Sequence, residues 1–403
     1  MTLLIIFSAI VLLILLIAWG KINAFLAFLV VSILAGLWLG IPLNKVAASV
    51  QKGMGDTLGS LAIIIVLGAM LGKLVADSGA AQKISTVMMK MFGEKNIQWA
   101  LVITGFIIGI PLFYNVGFVL VVPIIFTVVY RYKLPAIYIG LPMLAALSVT
   151  FGFLPPHPAP TALAVQFNAS IGLTLLYGIL VAIPAIVIAG PLFAKTLKNI
   201  PSEPLKTFQS QEVLASKLPG TASSFLAALL PVILLMVTAI LPFLLPADAK
   251  LINVLTFLSE PAIVMLLALA LATWLLGTRR GMSMKDIMNG YAESVKEVSL
   301  ILLIIGSAGS FKQVLIDSGV SQQIANQLND INIHPLILGW LITATIRICV
   351  GSATVAGLTA GGIMAPVLLQ ASVNPSLMVL SIGAGSLACS HVNDSGFWMF
   401  KEY

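Results

Sequence analysis

Of 403 residues, 60% are hydrophobic and only 9% are charged, with a formal net charge of +7. Apolar stretches of about twenty residues recur along the whole length, as bilayer-spanning helices require, which excludes a soluble domain. In such a chain Lys and Arg mark cytoplasmic loops, and no basic segment is interleaved with aromatics, so the positive charge does not indicate nucleic acid.

The fold class expected is an all-α polytopic membrane protein built from inverted repeats, with two re-entrant hairpins and broken helices. The opening run LLIIFSAIVLLILLIAW lacks a basic leader and a small-residue cleavage site, so it is read as a retained span at 3–19. Further spans are expected at 22–41, 57–76, 136–156 and 171–194 in the first half, and at 222–245, 254–277, 296–316 and 376–398 in the second. Residues 97–130 and 334–370 are too long for one helix and too short for two spans, and Gly, Pro or small polar residues interrupt each. Both are read as re-entrant hairpins, whose non-helical backbone survives at membrane depth only beside protein or a watery cavity.

Within the first hairpin, GIPLFYNVGF places Asn115 among Gly109, Pro111 and Gly117, which free backbone groups for a ligand. In PPHPAPT, four prolines forbid a continuous helix around His157. A polar linker at 195–221 then divides repeat 1–194 from repeat 222–403. In the second hairpin, RICVGSATVAGLTAGG supplies Ser352, Thr354 and Thr359 as hydroxyls, and Arg347 as an intramembrane cation whose fork suits a carboxylate. Snorkelling of Arg347 to an interface, or pairing with Asp394, is the structural alternative. The last span ends in SHVNDSG, where His391, Asp394 and Ser395 share a face if helical. Imidazole titrates near neutrality, so His157, His391 and Asp394 are the candidates for carrying protons. Each histidine has a packing hydrogen bond as its bland alternative.

Two internal matches support duplication. VADSGAAQKI at 75–84 resembles LIDSGVSQQI at 315–324, and FLPPHPAPTA at 153–162 aligns with LACSHVNDSG at 387–396. The paired DSG sequences read as helix ends with Gly79 and Gly319 as stops. With the N-terminus outside, most Lys and Arg fall inside and only Lys45, Lys52 and Lys250 fall outside, which makes the repeats inverted. Inverted repeats with broken helices are a transporter architecture. Cys349 and Cys389 lack metal-ligand spacing and are assigned to core packing. GAMLGK at 68–73 is one residue short of a phosphate loop, and no cofactor or metal is expected. A hydrolase built on His391, Asp394 and Ser395 is disfavoured, because one helical face rarely gives triad geometry. A passive channel stays open as an alternative.

GIPLFYNVGFVLVVP, GFLPPHPAPTA, GSATVAGLTAGGI and SHVNDSGFWMFKEY resemble the signature stretches of the gluconate permease family of proton symporters, within the ion transporter superfamily. The resemblance runs the length of the chain. It implies import of gluconate or a related small hydroxy-carboxylate with protons across the bacterial inner membrane, no enzymatic activity, and a homodimer with elevator-like motion. D-serine and four-carbon sugar acids are the alternative substrates. By position it carries over the Asn115 tip, the His157 proline motif, and the Arg347 to Thr359 tip with the His391 to Asp394 run; on these placements Asn115, Arg347, Ser352, Thr354, Thr359 and Asn393 are expected to bind substrate, and His157, His391 or Asp394 to couple protons. Two departures stand out. Family members often carry His just before GFLPPHP, where this chain has Phe151. They also run roughly forty residues past FKEY to a last span, so a final helix is expected to be missing here.

Overall fold

The computed structural model describes residues 2–202, 218–244, 254, 257–258, 260–319, 333–370, 373–390, 397 and 400. Among them every regular element is a helix. In chain order these are α1 (Thr2–Ile14), α2 (Ala24–Trp38), α3 (Leu43–Asp77), α4 (Ala80–Phe92), α5 (Ile97–Gly109), α6 (Tyr114–Tyr132) and α7 (Ala136–Phe153). There follow α8 (Pro158–Gln166), α9 (Ile171–Val187), α10 (Thr221–Leu244), α11 (Pro261–Ala272), α12 (Met284–Asp317), α13 (Pro335–Val350), α14 (Ala353–Gln370) and α15 (Pro375–Ser386). Five segments are long and apolar enough to cross a bilayer, at Leu43–Asp77, Ala136–Gln166, Ile171–Thr196, Pro261–Arg280 and Met284–Asp317. The chain is an all-α, multi-pass membrane protein.

Apolarity located the helices but not their lengths. The span expected at 57–76 is the end of a 35-residue helix that starts at Leu43, and the one at 296–316 ends a 34-residue helix that starts at Met284. The added turns are amphipathic. Val46, Ser49 and Val50 form one buried stripe on α3, and Ile287, Tyr291, Ser294 and Val298 form another on α12. Polar residues on the opposite faces lowered the mean hydropathy without breaking the backbone ladder. The expectation of core packing for the cysteines is also corrected, because Cys349 and Cys389 are both exposed. In a membrane protein an apolar neighbourhood in sequence does not imply an interior position.

Both DSG sequences end a helix as expected. Asp77 and Asp317 are the last residues of α3 and α12, and Gly79 and Gly319 adopt left-handed φ of 78° and 70°. Ser78 and Ser318 donate their hydroxyls to Val75 O and Leu315 O at 3.3 and 2.9 Å. One turn earlier the side chains differ but the spacing does not: Lys73 lies 3.5 Å from Asp77, and Gln313 donates to Asp317 at 2.8 Å.

The chain divides into two compact units. The first comprises Met1–Ile63, Pro158–Thr174 and Val298–Lys401. Here the start of α3 crosses the end of α12 at glycines: a Cβ on Gly53 would meet the Gly309 carbonyl, and one on Gly309 would meet Thr57. Ser310 Oγ donates to Val50 O across this crossing at 2.8 Å. α13 and α14 form a helical hairpin, and α15 lies along α13, with Ser381 Oγ donating to Leu336 O. Pro at the first position of α13 and α15 presets φ where no N–H is needed. Short α8 packs on α14, its Leu163 against Gly357 and Gly361.

The second unit comprises Ile64–His157 and Leu175–Glu297. α5 packs between α4 and α7, while α6 packs on α7. Gly105 lets α5 approach the Met143 carbonyl of α7. Lys73 on α3 bridges Asp77 and Glu293, each at 3.5 Å.

Candidate functional site

The candidate residues that are described lie at three interruptions of the helices, Ile110–Phe113 and Leu154–His157 in the second unit and Gly351–Ser352 in the first. In the second unit, α5 ends at Gly109 and α6 begins at Tyr114, so Ile110–Phe113 are non-helical. Pro111 lacks the N–H that would carry the ladder through. A Cβ on Gly109 would run into Thr150 Oγ1, and one on Gly72 of α3 into the Pro111 carbonyl. The break is therefore clamped on two sides. Asn115 occupies the first turn of α6, and its side chain lies outside the description.

His157 belongs to the same unit. α7 stops at Phe153, Leu154 N–H still reaches Thr150 O at 3.0 Å, and Pro155 and Pro156 have no N–H to continue. The helix resumes at Pro158, where proline is tolerated because first-turn N–H groups have no intrahelical acceptor. His157 is held between these pieces, buried, with Nε2 2.7 Å from Gly109 O. Its ring meets Phe151 and Phe113 at steep angles, with centroids 5.3 and 6.4 Å away. Beside it lies a crevice with room for roughly one water molecule, lined by apolar residues of α3, α10 and α11.

The third interruption is in the first unit. α13 ends at Val350, Gly351 takes a left-handed φ of 79°, and its N–H bonds to Arg347 O at 2.9 Å. Ser352 starts α14 as its cap, accepting from Val355 N–H at 3.3 Å. Arg347 is buried in the last turn of α13, and Thr354 is half-buried in the first turn of α14. The Thr359 hydroxyl, also buried, donates to Val355 O at 2.7 Å. The arrangement puts a guanidinium, two hydroxyls and the free N–H groups of a helix start within two turns of chain, a set suited to an anion. His391, Asn393, Asp394 and Ser395 lie outside the described residues.

Two polar groups in the first unit escaped the sequence reading. Lys312, inside α12, donates from Nζ to Gln166 O, the last carbonyl of α8, at 3.2 Å. Its position in an apolar span was the signal that could have found it. Thr161 is fully buried, and among the described residues its hydroxyl has no hydrogen-bond partner. Such a group costs about 1–3 kcal/mol, and it stands in the proline motif already singled out.

The model of the GntP family permease matches residues 1–403. The chain belongs to the GntP family. It is similar over its full length to a high-affinity gluconate transporter of Escherichia coli K12, with 47% identity and 92% of that protein covered. It is 43% identical to the Gnt-II system L-idonate transporter of the same organism and 45% identical to a gluconate permease of Bacillus subtilis 168, again covering 92% of each. Among solved structures, the YdaH transporter of Alcanivorax borkumensis shares the fold at TM-score 0.66 and 16% identity, covering 94% of this chain and 90% of that one. As a GntP permease, the protein is a membrane transporter and not an enzyme.

Proposed function

We propose that this GntP permease imports gluconate or a related small sugar acid together with protons across the bacterial cytoplasmic membrane. The observation that carries the reading is full-length identity of 43–47% to transporters named for gluconate and L-idonate. The α13–α14 break supports an anionic substrate. Arg347 and the N–H groups that open α14 would take the carboxylate, while Ser352, Thr354 and Thr359 offer partners for the sugar hydroxyls. Asn115 and Asn393 are proposed as further hydroxyl partners. The ionisable candidates for carrying the proton that compensates the anion are His157, His391 or Asp394. Segments 97–130 and 334–370 would enter the membrane re-entrantly, 195–221 would be cytoplasmic, and 1–194 and 222–403 would be the inverted repeats of an alternating-access transporter acting as a homodimer.

Uptake of labelled gluconate into proteoliposomes tests this directly. An inward proton gradient is expected to drive accumulation above the external concentration, with unlabelled L-idonate competing. Equilibration without accumulation would identify a passive channel. Gradient-driven accumulation of D-serine or a four-carbon acid but not of gluconate would move the substrate class.

A further inference from the structure

The break between α5 and α6 keeps its shape without a continuous helix to hold it. α5 ends at Gly109, whose carbonyl has lost the donor that another turn would have provided. His157 supplies one, with Nε2 2.7 Å from Gly109 O across 48 residues of chain. A carbonyl oxygen only accepts, so Nε2 carries the hydrogen, and in a neutral ring the lone pair is then at Nδ1. The surroundings are apolar: Ile65 and Leu71 from α3, Pro231 from α10 and Met265 from α11 line the crevice with Pro111 and Pro156. Among the residues that line it or stack on the imidazole, His157 is alone in being ionisable. Tyr114, the nearest other titratable side chain in this ring cluster, meets Phe151 at 6.3 Å. Among the described residues that line the crevice or stack on the ring, no carboxylate would balance an imidazolium.

We propose that His157 is a positioning residue whose Nε2–H fixes the last carbonyl of α5, and with it the break that presents the first turn of α6, and that it carries no coupling proton. The inference rests on the transport reading and narrows its three ionisable candidates to His391 and Asp394. Gln places its amide nitrogen about where imidazole has Nε2, whereas Asn places it about where imidazole has Nδ1. His157→Gln therefore keeps the donor and loses the titratable group, and His157→Asn loses both.

In proteoliposomes His157→Gln is expected to retain gradient-driven accumulation, with KM and the pH profile of uptake within about twofold of the native chain. His157→Asn is expected to raise KM about tenfold while kcat and the shape of the pH profile persist. Loss of accumulation or a flattened pH profile in His157→Gln would show that the ring carries a proton and overturn the proposal. Native KM in both variants would overturn it as well, because nothing would then depend on the contact. A second readout is independent of uptake. The chain has three histidines, so ring ¹⁵N signals that vanish in His157→Gln report His157 in the detergent-solubilised native protein. A neutral ring with hydrogen on Nε2 from neutral to mildly acidic pH supports the proposal, and a doubly protonated ring or the Nδ1–H form overturns it. Native protein without uptake but with the Nε2–H form would reject the transport reading and leave the contact established.

Discussion

The breaks after α5 and α13 solve one backbone problem with different chemistry. At Ile110–Phe113 the chain leaves helical geometry for four residues, and packing against Gly72 and Thr150 with a hydrogen bond from His157 holds it in place. At Gly351–Ser352 only two residues intervene. A left-handed glycine and a serine cap restore helical geometry at once, and the candidate side chains sit on the flanking turns. The first break is a shaped piece of backbone supported from outside, whereas the second is a tight turn that supports itself and brings a buried guanidinium. In the proposed mechanism the first supplies shape and the second supplies charge.

The comparison breaks most severely at Arg347. Arg347→Gln is expected to reduce anion uptake by about a hundredfold or more while the protein still folds, and Arg347→Lys is expected not to restore it, because an ammonium lacks the two-pronged fork. Near-normal uptake in Arg347→Gln, measured alongside thermal stability, would remove charge from the second break. Gly109→Ala comes next. The added Cβ meets Thr150 Oγ1, so overpacking is expected to cost about 1–3 kcal/mol and to raise KM as the first break shifts. Adding Thr150→Ala removes the clashing atom and should recover much of the loss, in stability and in uptake. An undisturbed Gly109→Ala variant would mean that the first break is not clamped. The smallest effect is expected away from both breaks, at Lys73→Met. Its ion pairs to Asp77 and Glu293 are each 3.5 Å long and partly exposed. Pairs of this kind contribute about 0–1 kcal/mol, so thermal unfolding should barely move and high salt should erase the difference.

Legibility from sequence differed between these regions for a physical reason. Interruptions of the helical ladder are local events. Pro111, the prolines around His157, and Gly351 act through their own backbone chemistry, so the breaks stand where the sequence places them. The DSG helix ends were legible on the same ground. Long-range partners were not. Gly109 and His157 are 48 residues apart, and nothing in either motif says that the imidazole meets that carbonyl. Lys312 and Gln166 are likewise 146 residues apart. Helix length also escaped, because an amphipathic extension such as Leu43–Asp56 has too little apolar residue content to read as membrane-spanning and yet continues the same helix.

By itself the sequence determined that this is an all-helical membrane protein whose helices are interrupted at Pro111, at the prolines around His157 and at Gly351, because hydropathy, proline and glycine write those properties locally. Only the tertiary structure decided which groups those breaks touch. It placed His157 under the end of α5, Lys312 at the end of α8, and both cysteines on the surface. These are choices among many apolar neighbours of similar chemistry, and packing geometry rather than residue type settles them.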